Sequence, residues 1–279
     1  MGHTIRVKDL FDENIEFQKS YDSIGHYKDL VKLASSIRDD YLKNVNKFHN
    51  QLSFEDINEK CYLEMYSKIA PGSPNPKISE LQKKISGLSE LNKDAYSFFL
   101  KKRNNSVKGM DVQLGNKFDE VFIEFLKSKS IKAERADQKN KKLPDIQVLD
   151  RTRNIKAYIE HKYHNAPFML SYKMIGRESY EGSITLDTKK LQNQIIECES
   201  ELPNRPVYIV HWVDFHHLKG VFFNTLGQIK EYLASGSEFE RQARAGDYKM
   251  TKKVGYTEKF YPPLHEMGDL RELLEKLSK

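Results

Sequence analysis

The sequence of 279 residues contains only two cysteines, Cys61 and Cys198. Two isolated thiols cannot build a disulfide framework and do not have the spacing of zinc ligands, which excludes a thiolate zinc site. So little cysteine is typical of proteins that fold in a reducing compartment. We therefore expect a cytoplasmic location.

Long apolar runs are also missing. Stretches such as 206–210 and 221–223 are far shorter than the roughly 20 apolar residues that a membrane-spanning helix requires. The first residues lead into charged sequence instead of the apolar segment of a signal peptide. The sequence therefore predicts a protein that is neither integral to a membrane nor secreted.

The composition is that of a globular protein with a polar surface. Hydrophobic residues make up 38%, charged residues 31% and aromatic residues 11%, which excludes global disorder. The net charge is +6, and residues 127–162 alone carry eleven Lys or Arg against five acidic residues, which equals the whole excess. Such a cluster is most often a solvated face, but it also suits a polyanionic partner.

The chain divides into three predicted regions. Residues 1–105 have the apolar spacings of three and four that are typical of helices, interrupted by a proline-rich turn at 71–76. Residues 106–234 combine helices with strands and form the predicted core. Residues 235–279 form a basic and aromatic extension that we expect to pack on this core. The helical region could serve as a dimer interface, a DNA clamp or a buttress.

The core has the pattern of a mixed sheet. Alternating apolar residues predict strands at 131–136, 145–149, 154–163, 207–215 and 219–223. Helical periodicity predicts helices at 111–128, 187–202 and 226–233, the second of them capped by Asp187 and ended by Pro203. This order predicts an α/β (α+β) fold, in which helices cover both faces of a central mixed sheet.

The chemistry is concentrated on two of these strands. Pro144-Asp145 begins one strand, and Glu160-His161-Lys162 lies on the next. If the two strands form a hairpin, the carboxylates of Asp145 and Glu160 become neighbours, and strand alternation places Lys162 on the same face as Glu160. Two carboxylates held together repel each other and suit a hard cation such as Mg²⁺. A nearby ammonium can stabilise developing negative charge, which is the arrangement of a phosphodiester-cleaving site.

These residues resemble the motif of the PD-(D/E)XK nuclease superfamily, and within it that of the type II restriction endonucleases. The resemblance covers about residues 111–225. It rests on Pro144-Asp145 and on Glu160-His161-Lys162. The segment from Gly115 to Glu120 adds a match to the Gly-x-x-Phe-acid helix of the family.

The resemblance implies a magnesium-dependent endonuclease that uses one or two Mg²⁺ ions. Asp145 and Glu160 would be metal ligands, with the main-chain carbonyl of His161 as a third, and Lys162 would be the catalytic lysine. The additional acid of the helix would be Asp119 or Glu120, and the sequence leaves this choice open. A metal-activated water would attack the phosphorus in line.

The expected partner is double-stranded DNA, and restriction enzymes that cut both strands commonly act as homodimers on palindromic sites. Further basic residues lie in the loop at 176–182 and in the aromatic stretch at 239–261. The residues expected to contact DNA are Lys141, Lys142, Arg151, Arg153, Arg177, Lys189, Lys252 and Lys253.

Other conspicuous residues receive simpler interpretations. On an alternating strand, the side chain of His161 should point away from Glu160 and Lys162. We expect His216 and His217 at a solvated turn and Trp212 in the core.

The function predicted from the sequence is a sequence-specific DNA endonuclease of restriction type. A nuclease specific for repair or recombination structures, or for RNA, could use the same core. An inert nucleic-acid-binding protein with this fold is a third alternative.

Overall fold

The computed structural model describes residues 7–44, 52–70, 73, 76–101, 110–137, 139–140, 143–165, 167, 184, 186–202, 205–235, 238–242 and 256–279. Over these residues the chain forms eight α-helices and one π-helical turn at Leu63–Ser67. The helices are α1 (Val7–Asn44), α2 (Asp56–Tyr62), α3 (Ile78–Lys84), α4 (Leu88–Lys101), α5 (Met110–Ser128), α6 (Thr188–Glu201), α7 (Leu226–Ala234) and α8 (Leu270–Ser278).

Nine strands lie in the same described ranges. They are β1 (Lys132–Arg135), β2 (Ile146–Leu149), β3 (Ile155–His164), β4 (Leu186–Asp187), β5 (Val207–Asp214), β6 (Lys219–Thr225), β7 (Glu238–Gln242), β8 (Tyr256–Phe260) and β9 (Gly268–Asp269). The central sheet has the order β1-β2-β3-β5-β6-β9, and a second sheet has the order β4-β8-β7.

The central sheet is mixed, as the sequence predicts. Strands β3 and β5 pair in parallel, and every other pair of neighbours in this sheet is antiparallel. The parallel pair is joined through α6, because parallel neighbours require a crossover connection. Helices cover both faces, which confirms the predicted fold class.

One face of the central sheet packs against α1, α5 and α8, and we call it the α5 face. Strand residues that point to it, such as Ile159 and Trp212, are fully buried together with Phe118 and Phe122 of α5. Apolar residues from α1 and α8 join the same cluster. Residues from all three predicted regions therefore share one core.

The opposite face, which we call the α6 face, packs against α2, α6 and α7. Ile209 and Phe222 of the sheet lie there with Leu191 and Ile195 of α6. Cys198 of the same helix packs against this face next to β3 and β5. The helical stripe predicted for 187–202 is thus the stripe that contacts the sheet.

The five strands and three helices predicted for the core begin and end within a few residues of the predicted boundaries, whereas β4, β7, β8, β9 and α8 were not predicted. The predicted helix that follows the proline-rich turn is two helices, α3 and α4, separated near Gly87, whose φ of 82° suits glycine. Both cysteines are free and buried. Among the described residues, no helix has the length and apolar character needed to cross a membrane.

Candidate active site

Strands β2 and β3 form the predicted hairpin, and its register brings the site residues together. Ile146 is paired with Ile159, so the preceding residue, Asp145, lies beside Glu160. The main-chain N–H of His161 donates a hydrogen bond of 3.0 Å to Oδ2 of Asp145. The Asp145 carboxylate is thereby held at the start of β2.

Lys162 completes a row of charges on the α6 face. Its ammonium donates to Oε1 of Glu160, which lies two residues earlier on the same strand. The side chain of Lys162 is 25% exposed and that of Glu160 is 10% exposed, so this ion pair lies at the rim of the core and keeps some contact with solvent. The structure thus brings Asp145, Glu160 and Lys162 into one cluster.

The electrostatics of Asp145 reflect two crowded carboxylates. The pKa of Asp145 is raised to about 6, first by burial and then by the negative charges of Glu160 and Asp119, against the opposing effects of Lys162 and the His161 N–H. Burial and the two neighbouring carboxylates thus both make this carboxyl group harder to ionise than usual.

Asp119 reaches the site from α5, on the other side of β3. Its Oδ1 lies 2.8 Å from Nδ1 of His161, and its Oδ2 accepts from Arg135 at 3.4 Å. Glu120 is exposed, and its Oε1 is 4.0 Å from Nε of Arg135. Of the two acids that the sequence leaves open, Asp119 is therefore the one that acts on the charge of Asp145.

The side chain of His161 points to the α5 face, away from Glu160 and Lys162, which confirms the prediction for it. Its ring stacks on Phe122 with centroids 4.8 Å apart and an interplanar angle of 14°. The predicted core position of Trp212 is also confirmed, because its side chain is fully buried.

A chain of polar side chains continues the row beyond Lys162, and the sequence does not predict that its members contact each other. Nε2 of His164 lies 3.2 Å from Nδ1 of His211, and Nε2 of His211 lies 3.3 Å from Oδ1 of Asn224. Desolvation lowers the pKa of His164 to about 3 and that of His211 well below its usual value, and the charge of Lys162 contributes to both shifts. The period of two from Glu160 through Lys162 to His164 is the signal that could have revealed His164.

The prediction of a solvated turn for His216 and His217 is wrong. Both residues are buried, and the amide of Asn58 donates to their main-chain oxygens at 3.1 and 3.0 Å. Oδ1 of Asn92 lies 3.3 Å from Nε2 of His216. The turn is covered by the helical N-terminal region, which the local sequence around it cannot reveal.

The described basic residues predicted to contact DNA are exposed. Arg151 and Arg153 lie in the β2–β3 turn, where Oδ1 of Asp150 accepts from two main-chain N–H groups and Arg153 has a φ of 68°. Lys189 lies at the start of α6. The other predicted contacts fall outside the described residues, as does the loop at 176–182: Lys141, Lys142, Arg177, Lys252 and Lys253.

A metal ion would have a limited set of ligands here. Within the described ranges, no group of three or more His, Cys, Asp or Glu side chains is arranged to hold one. Asp145 and Glu160 supply two carboxylates, and a third ligand would have to come from the main chain, as expected for the carbonyl of His161.

Comparisons with known proteins leave the family open. No family model matches the sequence, and no curated protein matches it either. Among solved structures, a nuclease from a fusselovirus is similar to this chain at 14% sequence identity, covering 61% of this chain and 92% of its own, with a TM-score of 0.35. A likeness this distant carries no argument about fold or function, which are therefore argued from the chain's own residues.

Proposed function

We propose that the protein is a magnesium-dependent endonuclease that hydrolyses phosphodiester bonds in double-stranded DNA. The observation that carries this proposal is the juxtaposition of Asp145 and Glu160 across β2 and β3, with Lys162 beside them at the edge of the core. Two carboxylates and one ammonium leave one negative charge to be balanced. A divalent cation bound to phosphate oxygens would balance it.

The donor set fits Mg²⁺. Mg²⁺ prefers oxygen ligands and is usually held by one or two carboxylates together with waters and substrate phosphate. Asp145, Glu160 and the main-chain carbonyl of His161 would hold it. The ion would supply Lewis-acid polarisation of a phosphate oxygen and a more acidic bound water. The raised pKa of Asp145 is what we expect of a carboxylate pair that such a cation relieves.

The chain's own residues have separate roles in this proposal. The ammonium of Lys162 stabilises the negative charge that develops on the phosphate. The Lys162 side chain is partly exposed beside Glu160, so it is accessible to the substrate. The His161 N–H orients the Asp145 carboxylate through their hydrogen bond. Asp119 lies behind β3, where it contacts His161 and Arg135 instead of Glu160 and Lys162.

The substrate class follows from charge. The net charge of +6 and the exposed side chains of Arg151, Arg153 and Lys189 suit a polyanion. The β2–β3 turn lies about four strand residues beyond Asp145, or roughly 13 Å, which suits phosphates that flank the cut. We propose sequence-specific cleavage of restriction type by a homodimer, with residues 1–105 as dimer interface or DNA clamp.

The experiment is to incubate the protein with Mg²⁺ and a long duplex of known sequence and then to sequence the ends. We expect discrete fragments, no cutting after chelation, and recovery when Mg²⁺ is added back. Cutting limited to flaps, junctions or RNA would instead support the structure-specific or RNA nuclease. Binding without any cutting would support the inert nucleic-acid-binding protein.

Two variants test the assignment of the site. Asp145→Ala and Glu160→Ala should each abolish cutting while DNA binding, measured without divalent cations, is kept or improved, because a carboxylate that repels phosphate is removed. Glu124→Gln is the matched control, because Glu124 is an exposed acid on α5 that forms an ion pair with Lys127, three residues further along the same helix. Full activity of either alanine variant would refute the assignment.

A further inference from the structure

A continuous set of hydrogen bonds connects β1 to Asp145 through the back of the site. Arg135 donates to Oδ2 of Asp119, Oδ1 of Asp119 contacts Nδ1 of His161 at 2.8 Å, and the His161 N–H donates to Asp145 at 3.0 Å. His161 is the central member, since its ring bonds to Asp119 while its main chain bonds to Asp145.

Two contacts hold the ring of His161. Because a carboxylate oxygen can only accept, its 2.8 Å contact with Nδ1 requires the tautomer of His161 that carries a proton on Nδ1. Nε2 is buried and has no hydrogen-bond partner among the residues that the structure describes, and the ring lies flat on Phe122 with its side chain 1% exposed. A ring fixed at Nδ1 and along one face restricts the rotation of its own main chain, which carries the N–H that bonds to Asp145.

Arg135 fixes Asp119 from the other direction. Its guanidinium donates to Oδ1 of Asn116 at 3.2 Å and to the main-chain oxygen of Asn116 at 2.7 Å, one turn before Asp119 on α5. The fork of Arg135 thereby ties β1 to α5 while it contacts Asp119. It also places a positive charge behind the carboxylates of the site.

We propose that Arg135, Asp119 and the side chain of His161 form a relay that positions the Asp145 carboxylate, and that Asp119 acts through His161 and is not itself a metal ligand. This inference rests on the proposed function of the site. Arg135 and the His161 ring are positioning residues, because their hydrogen bonds are to Asp119 and Asn116 and not to Glu160 or Lys162. The competing account is direct action of Asp119 on the metal or on the attacking water.

A double-mutant cycle in single-turnover cleavage separates the two accounts. Asp119→Ala and His161→Phe should each slow cleavage by roughly 10- to 100-fold, the range seen when groups behind metal ligands are removed. The double variant should be no slower than the slower single variant, because both substitutions break the same relay. Losses that multiply in the double variant, or wild-type cleavage by His161→Phe, would overturn the relay.

A conservative substitution sharpens this result. In His161→Asn the amide nitrogen takes the position of Nδ1 and can still donate to Asp119, whereas His161→Phe keeps the ring stacked on Phe122 without any donor. We expect His161→Asn to retain cleavage within roughly threefold of wild type. Equal losses in the two variants, with equal stability in urea, would contradict a role for the Nδ1 donor.

A readout without cleavage keeps the relay testable even if the protein is not a nuclease. The amide hydrogen of residue 161 bonds to the Asp145 side chain, so its exchange in the metal-free protein reports that bond. Asp145→Ala defines the rate of the unbonded amide. We expect at least roughly tenfold faster exchange in Asp119→Ala and Arg135→Met, and no change in Glu124→Gln. Unchanged exchange at this amide in Asp119→Ala would refute the relay whatever the substrate.

Discussion

The central sheet holds two lysine–carboxylate pairs with different surroundings. Lys219 and Asp214 form an ion pair across β5 and β6 with side chains 4% and 0% exposed, and the second oxygen of Asp214 accepts from the hydroxyl of Tyr163 at 2.7 Å. Lys162 and Glu160 form a pair of similar chemistry, but these side chains are 25% and 10% exposed. The first pair lies on the α5 face and the second on the α6 face.

The difference lies in what else each pair contacts. In the Asp214 pair, one negative charge meets one positive charge, and both carboxylate oxygens have hydrogen-bond partners. The Glu160 pair has Asp145 as a second acid, and the pKa of Asp145 is raised to about 6 by burial and then by Glu160. A closed, neutral pair can only support the fold. An open pair with surplus negative charge can also bind a cation, and this distinguishes the candidate site.

The largest expected effect is on stability, from breaking the closed pair. Lys219→Met leaves the Asp214 carboxylate buried without its counterion, and we expect a loss of about 3–5 kcal/mol in the free energy of unfolding. Urea unfolding followed by circular dichroism measures this loss. The double variant Asp214→Leu with Lys219→Met should regain most of it, because no charge is then left buried. A loss below about 1 kcal/mol in Lys219→Met, the range of exposed pairs, would show that this pair is not structural.

The sequence predicts the open pair better than the closed one. Glu160 and Lys162 are two residues apart on one alternating strand, so their shared face follows from strand geometry alone. Asp214 and Lys219 meet through the register of β5 with β6, and Tyr163 joins them only because β3 lies next to β5. Strand order and register arise from tertiary packing, which local periodicity does not contain.

The same limit explains why the prediction for His216 and His217 was wrong. The burial of His216 and His217 depends on Asn58, which is more than 150 residues away in the sequence. The contact between His164 and His211 likewise requires the parallel register of β3 with β5. The fold class, five of the six strands of the central sheet and the position of Trp212 were accessible from periodicity, whereas the second sheet and the contacts between distant segments were not.

The second expected effect is on catalysis, from breaking the open pair. Lys162→Met removes the ammonium that faces the proposed phosphate, and we expect cleavage to slow by roughly 10²–10³-fold, as when one transition-state donor is lost. The free energy of unfolding should fall by only about 1–2 kcal/mol, because the Glu160 side chain keeps some contact with solvent. Single-turnover cleavage and urea unfolding of the same preparation give both values.

The contrast between the two ion pairs is refuted if substitution of Lys162 affects stability instead of cleavage. An Lys162→Met variant that cuts at the wild-type rate but unfolds as easily as Lys219→Met would make the Glu160 pair a second structural pair. The double variant Asp214→Leu with Lys219→Met is the matched control for activity. It removes a lysine–carboxylate pair from the same sheet, and we expect it to cut DNA at a rate close to wild type.

The smallest expected effect is on the pKa of the histidines beside Lys162. These histidines lie on the α6 face, so their titration should respond to Lys162 and not to Lys219. Desolvation, and then the charge of Lys162, lower the pKa of His164 to about 3. Between pH 6.5 and 3 the unfolded chain therefore binds a proton that the folded protein excludes, so stability is complete above pH 6.5 and falls with decreasing pH, by at most about 1.4 kcal/mol per pH unit for each such histidine.

Removing Lys162 should weaken this pH dependence without abolishing it. The ring resonances of His164, followed by NMR during an acid titration, should report a higher pKa in Lys162→Met than in wild type, because one of the two main causes of the low value is gone. The double variant Asp214→Leu with Lys219→Met should leave this pKa unchanged, since its charges lie on the α5 face. Equal pKa values of His164 in wild type and Lys162→Met would mean that desolvation alone keeps the imidazole neutral. The charge of Lys162 would then be neutralised by Glu160 and would have no effect on His164.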